Sequence, residues 1–195
     1  MAYDIKNVFY LDTELTLPLT AVTAPDESNT VQLDLSSYID PIARGRSKGT
    51  GLAIYKVHWS VNASSEGGKP DVMTQAGSFR GGLIAGAGFG TQSGATLTGT
   101  ASFPSPNNAL AVCGFDYYGA RSSIANASTP SGTFTRTFLE PSKEVPYVCV
   151  RDNVCLMSTQ LIAMSTAAYI NVRLECAQIT LDQATLNQLL RTQTV

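Results

Sequence analysis

Tyr169-Ile170-Asn171-Val172-Arg173-Leu174-Glu175-Cys176 alternates between apolar and polar side chains, and its reading decides the fold. Ile170, Val172, Leu174 and Cys176 fall on one face of an extended chain, and Asn171, Arg173 and Glu175 on the other. That is the period of two expected of a strand with one buried face. The period then changes. Thr180 and Gln183 stand at capping-box spacing, and Leu186, Leu189 and Leu190 follow at helical intervals. A strand running into a short docked helix reads as the closing element of a domain, with this end of the chain tied down.

Working outward, the clearest second strand is Leu52 to Val61. Tyr55, Val57, Trp59 and Val61 read onto one face, and Lys56, His58 and Ser60 onto the other. Val31–Leu35 and Thr133–Leu139 alternate in the same way. Val8–Leu11 and Leu15–Leu19 read as an N-terminal strand or hairpin arm, and Pro18 favours an edge position. Shorter candidates are Ser78–Arg80, Leu83–Ala85, Thr96–Thr98, Ala101–Phe103, Leu110–Phe115, Tyr147–Val150 and Val154–Met157. Leu161–Ala168 is ambiguous between a short helix and an apolar strand. Short strands divided by turn signals, with helical periodicity only near Leu186, predict an all-β fold. The expected architecture is a two-sheet antiparallel sandwich with a short C-terminal helix, either a jelly roll or an immunoglobulin-like fold. Residues 1–23 are expected to form an arm or edge strands, and residues 24–195 a single domain.

Composition narrows the function classes. Of 195 residues, 44% are hydrophobic, enough for a sizeable core, but only 14% are charged, against about 25% in an average soluble protein. A surface so poor in charge suits a protein covered by copies of itself or one facing the outside of a cell. The formal net charge of −2 argues against direct, sequence-specific nucleic-acid binding, which needs clustered Lys and Arg. The nearest basic run, Arg44-Gly45-Arg46-Ser47-Lys48, reads as an exposed loop. Met1–Lys6 lacks the regions of a signal peptide, and no apolar run is long enough to span a bilayer.

No residue is assigned a catalytic, cofactor-binding or metal-ligating role. His58, the only histidine, would have to serve any Ser-His-Asp or Cys-His device, but it reads as a solvent-facing strand residue. Cys113, Cys149, Cys155 and Cys176 match no zinc spacing. Cys149 and Cys155 flank Asp152 symmetrically, so a tight hairpin could oppose them as a disulfide; buried free thiols are the other reading, and the one favoured. Gly81-Gly82 and Gly86-Ala87-Gly88-Phe89-Gly90 lack the lysine and following helix of a phosphate loop, and read as backbone bends or close packing. Asp34, Asp40, Asp116, Asp152 and Asp182 are scattered, without a recognisable carboxylate pair. Asn62-Ala63-Ser64 and Asn126-Ala127-Ser128 satisfy the glycosylation pattern in expected loops.

Two stretches carry a resemblance. Leu33-Asp34-Leu35-Ser36-Ser37-Tyr38-Ile39-Asp40, leading into Leu52–Val61, resembles the opening of single jelly-roll capsid proteins of tailless icosahedral viruses, especially those of archaea. Val172–Cys176, Ile179–Leu181 and Leu186-Asn187-Gln188-Leu189-Leu190 resemble the last strand and short helix of the same group; the middle of the chain matches no family. The resemblance implies a jelly-roll structural protein that self-assembles into a virion shell, with copies of itself and other virion proteins as partners. Many small capsid proteins carry a basic arm that condenses the genome. Here the first twenty-three residues contain only Lys6 as a basic residue. An internal membrane or minor capsid proteins would then have to supply the missing neutralisation. The alternative function is a β-sandwich binding module, lectin-like or a receptor-binding spike domain, and a hydrolase has the weakest support.

Overall fold

The computed structural model describes residues 6–17, 30–40, 48–62, 77–86, 88–89, 97–98, 109–121, 130–162 and 168–193. These residues form β1 (Lys6–Leu17), β2 (Thr30–Asp34), β3 (Lys48–Asn62), β4 (Gly77–Ala85), β5 (Gly88–Phe89) and β6 (Leu97–Thr98). They continue with β7 (Ala111–Arg121), β8 (Pro130–Phe138), β9 (Tyr147–Cys149), β10 (Asn153–Ile162), β11 (Ala168–Asp182) and helix α1 (Gln183–Thr192). One sheet has the order β1-β11-β3-β9 and the other β2-β10-β4-β7-β8, with β5 and β6 as a separate short pair. Every pairing is antiparallel.

The pairs β1·β11, β2·β10, β3·β9 and β4·β7 are nested, each inside the one before. This is the order of one long hairpin wound around two facing sheets, a jelly roll, and it decides between the two sandwiches that the sequence allows. β8 is an added strand beside β7. Of the segments ambiguous in sequence, Leu161 and Ile162 extend β10, while 163–167 lie outside the described residues. The glycine-interrupted stretch from Ser78 to Ala85 is one continuous strand. Within it, a Cβ at Gly81 would overlap the Phe115 ring of β7, so that glycine is the seat of an aromatic side chain, as Gly114 of β7 is for the Phe138 ring of β8.

β11 shows the expected alternation. Ile170, Val172, Leu174 and Cys176 are buried between the sheets with Leu15, Leu52, Ile54, Val57, Leu83, Phe115 and Leu156. Trp59 closes the same layer, stacking on Phe115 at 4.7 Å and donating through Nε1 to Thr137 Oγ1 of the opposite sheet at 2.8 Å. Beyond Cys176 the buried face reverses. Ala177, Ile179 and Leu181 pack on the outer side with Ala53, Tyr55, Val150 and Leu186 of α1.

The switch corrects the sequence reading of β3. Register slips between Glu175 and Cys176, whose partners are Lys56 and Ile54, leaving Tyr55 as an extra residue. A bulge of this kind shifts the alternation by one. Tyr55 therefore joins Ala53 on the outer face, opposite Val57, rather than sharing its side.

The helix cap also differs from expectation. β11 runs through Thr180, and the residue that caps α1 is Asp182, whose Oδ1 accepts from the Thr185 N–H at 2.7 Å. At the other end Gln193 is buried, donating to the Val148 carbonyl at 2.6 Å and accepting from the Val150 N–H at 3.2 Å. Its amide thus fills the open edge of β9 as a strand would.

Asp182→Ala should lower unfolding free energy by removing the cap, while Thr180→Ala should change it little, as read by chemical denaturation. Gln193→Ala, which takes the partner from the buried Val150 N–H and the half-buried Val148 carbonyl, should lower it by about 1–3 kcal/mol.

Candidate functional site

The outer face of the four-stranded sheet is polar where α1 does not reach. Registration puts Asp12, Arg173 and His58 side by side across β1, β11 and β3, with Glu14, Asn171 and Ser60 in the next row. Arg173 Nε donates to Asp12 Oδ1 at 2.6 Å, and its guanidinium lies 5.6 Å from the centre of the Tyr10 ring. His58 Nε2 reaches Glu175 Oε1 at 2.7 Å. These side chains line an open concavity of about 740 Å³. Within it, Asn171 Nδ2 is buried without a hydrogen-bond partner among the described residues.

The chemistry of this hollow is that of fixed charge. The His58 hydrogen bond, aided by the charges of His58, Lys56 and Lys143, holds the Glu175 carboxyl below the usual carboxylate range. A general acid for glycoside cleavage needs the opposite shift. Ser60 Oγ accepts from Asn62 Nδ2 at 3.5 Å, and no hydrogen bond joins it to His58 among the described residues. The lone histidine is thus on the exposed strand face that the sequence indicates, in a carboxylate pair that spacing alone does not reveal.

A second cluster lies on the outer face of the five-stranded sheet. Arg80, Asp116 and Arg136 are registered neighbours on β4, β7 and β8. Asp116 Oδ1 accepts from Arg80 Nε at 2.6 Å, and its Oδ2 from Arg136 Nη2 at 2.5 Å. Both guanidiniums also lie over Phe138, at 5.6 and 5.3 Å from its centre. Burial pushes the Asp116 carboxyl up, but the hydrogen bonds and charges of the two arginines outweigh it and hold the group below the carboxylate range. Two guanidiniums on one carboxylate leave the cluster net positive. Tyr118 and Phe134, a cross-strand pair beside it, are about half exposed at 48% and 56%.

The four cysteines are free and buried. Cys149 ends β9 in one sheet, whereas Cys155 lies in β10 of the other, so the segment between them is a crossover and not a hairpin. The suggested disulfide is therefore not formed. Burial pushes all four thiols up to about 12. Of the other aspartates singled out in the sequence, Asp34 accepts from the Ser36 N–H at 2.8 Å through its carboxylate, while Asp40 is joined to Thr50 by main-chain hydrogen bonds. Gly86 turns the chain with φ of 69°, followed by β5 rather than a helix. Among the described residues, no three His, Cys, Asp or Glu side chains gather to hold a metal ion, and no helix is long and apolar enough to cross a membrane. The Asn126 triplet, residues 44–47 and Ala63-Ser64 lie outside the described residues.

No protein-family model and no curated protein matches this chain. Among solved structures it is similar to VP1 of Merkel cell polyomavirus in complex with disialyllactose, at 9% identity and a TM-score of 0.42, covering 92% of this chain and 97% of that one. VP1 of trichodysplasia spinulosa-associated polyomavirus, in complex with GM1 oligosaccharide, is similar at 8% identity and a TM-score of 0.41, covering 93% and 99%. Likeness at this level assigns neither a family nor a function, and the jelly roll rests on the strand order.

Asp116 is depressed in the folded state, so its contribution to stability is full above the unfolded value of about 3.9 and is lost as pH falls through the lower folded value. Asp116→Asn should therefore lower stability at neutral pH and flatten its fall below about pH 4, as read by urea titrations at stepped pH. The native protein should react with a thiol reagent only after unfolding, because at pH 8 a thiol of this kind is ionised in about one copy in ten thousand, and non-reducing electrophoresis should show no Cys149–Cys155 link.

Proposed function

We infer that this protein is a structural subunit of a virus shell, a jelly-roll capsid protein that assembles with copies of itself in the virion. The observation that carries the reading is the nested strand order, set on a chain with only 14% charged residues. A sparsely charged exterior with large apolar residues exposed near the sheet edges is suited to burial against neighbours. Val8, Tyr10, Tyr118, Phe134 and Val145 are such residues. The role is geometric, and no substrate is turned over. The likeness of residues 33–61 and 172–190 to capsid proteins of archaeal viruses supports an archaeal host. The scarcity of basic residues before Thr23 supports an internal membrane or minor capsid proteins as additional partners, with residues 1–23 contributing the edge strand β1 to the jelly roll that residues 24–195 otherwise form.

The purified protein should form large closed particles, visible by negative-stain imaging and by light scattering coupled to gel filtration. A monomer stable at every concentration and salt tested, with specific retention on a glycan array, would replace this reading with a lectin-like binding module.

A further inference from the structure

Two surfaces near open sheet edges are complementary. Among the described residues, β1 and β8 are the two long edge strands, of 12 and 9 residues. The edge of β9 is occupied by Gln193. β1 packs over β2 and β10 at one side of the sandwich, and β8 closes the five-stranded sheet at the other. Along β1 the outer face presents Val8 and Tyr10, both more than half exposed, beside the hollow that holds Asp12, Glu14 and Glu175. The three carboxylates outnumber Arg173 and His58 together, which leaves that hollow negative. Along β8 the outer face presents Phe134 beside Tyr118, next to the net-positive Arg80–Asp116–Arg136 cluster. Each strip therefore pairs exposed aromatic area with a charge opposite to that of the other.

We propose that the β1 strip of one copy docks on the β7–β8 strip of a second copy, Tyr10 and the acidic hollow meeting Phe134 and Arg136. The strips lie on opposite sides of one sandwich, so each copy offers both halves at once. The contact is heterologous: it propagates head to tail and ends only where the rotation between copies closes a ring. Aromatic side chains at the centre supply most of the attraction, and the charges set the register and reject the wrong edge. This inference rests on the self-assembly reading and adds to it which surfaces meet.

The test compares the full chain with Phe134→Ala, Glu14→Arg, Arg136→Glu and the control Val145→Ser by sedimentation velocity, with thermal melting as the check on folding. Val145 is 74% exposed and belongs to none of β1, β7 and β8. Phe134→Ala and Glu14→Arg should each weaken association by about 10-fold or more with melting unchanged, while Val145→Ser associates as the wild type does. Mixing Glu14→Arg with Arg136→Glu should restore extended association with the two variants alternating, since the altered β1 strip of the first suits the altered β8 strip of the second and their unaltered strips meet as in the wild type. Closed shells unaffected by Phe134→Ala and Glu14→Arg would overturn this contact and leave the shell reading standing. Open rods or isolated pairs that those substitutions dissolve would uphold the contact and overturn the shell. A wild type that never associates overturns both.

Discussion

The constraint on which the structure depends is that β11 is bonded along both of its edges while its two ends bury opposite faces. β1 pairs with it from Ala168 to Gln178, and β3 from Tyr169 to Asp182. The first part of the strand sends Ile170, Val172 and Leu174 against the opposite sheet; the last part sends Ile179 and Leu181 under α1. Both sets follow from one unbroken alternation in β11, whose even-numbered residues face inward and odd-numbered ones outward. The alternation that breaks is that of β3, where the extra residue at Tyr55 puts Ile54 and Val57 on the same inner face. Tyr55 leaves its hydroxyl buried without a partner among the described residues, a polar group held in an otherwise apolar contact with the helix.

The helix is therefore part of the sheet's outer wall. Leu186 is fully buried against the second half of β11, while Gln193 ties the far end of α1 to the backbone of β9. Together they cover one end of the four-stranded sheet and blunt one of its edges, a known way of managing exposed strand groups. The uncovered remainder is where Asp12, His58, Arg173 and Glu175 form their pairs, and its polarity follows from facing water rather than another layer.

Much of this was legible from residue pattern. The alternation over Ile170–Cys176 gives the buried face of β11, and the switch to helical spacing after Leu181 gives α1. Three features were not. Tyr55 looks continuous with Val57 because a bulge leaves no mark in a run of apolar residues. Thr180 looks like a cap because local spacing does not say where a strand stops, and the strand here is held through Asp182 by its partner Lys48. The charged clusters depend on registry between segments distant in sequence: Arg80, Asp116 and Arg136 become neighbours only when β4, β7 and β8 align. Nor does composition distinguish the two sandwich types, because nesting is a property of pairing and not of any one strand.

The union of β1 with β11 also has a consequence for biogenesis. Arg173 and Asp12 are separated by 161 positions, and everything between them must be synthesised before they can meet. Until residues 168–182 leave the ribosome, β1 has no ladder, the interior Leu15 and Leu17 have no roof, and the acidic hollow does not exist. Such distant pairing makes late, slow completion the rule. It also sets an order of events: a polypeptide lacking residues 168–182 has no hollow at all, because β11 is the strand that joins β1 to β3.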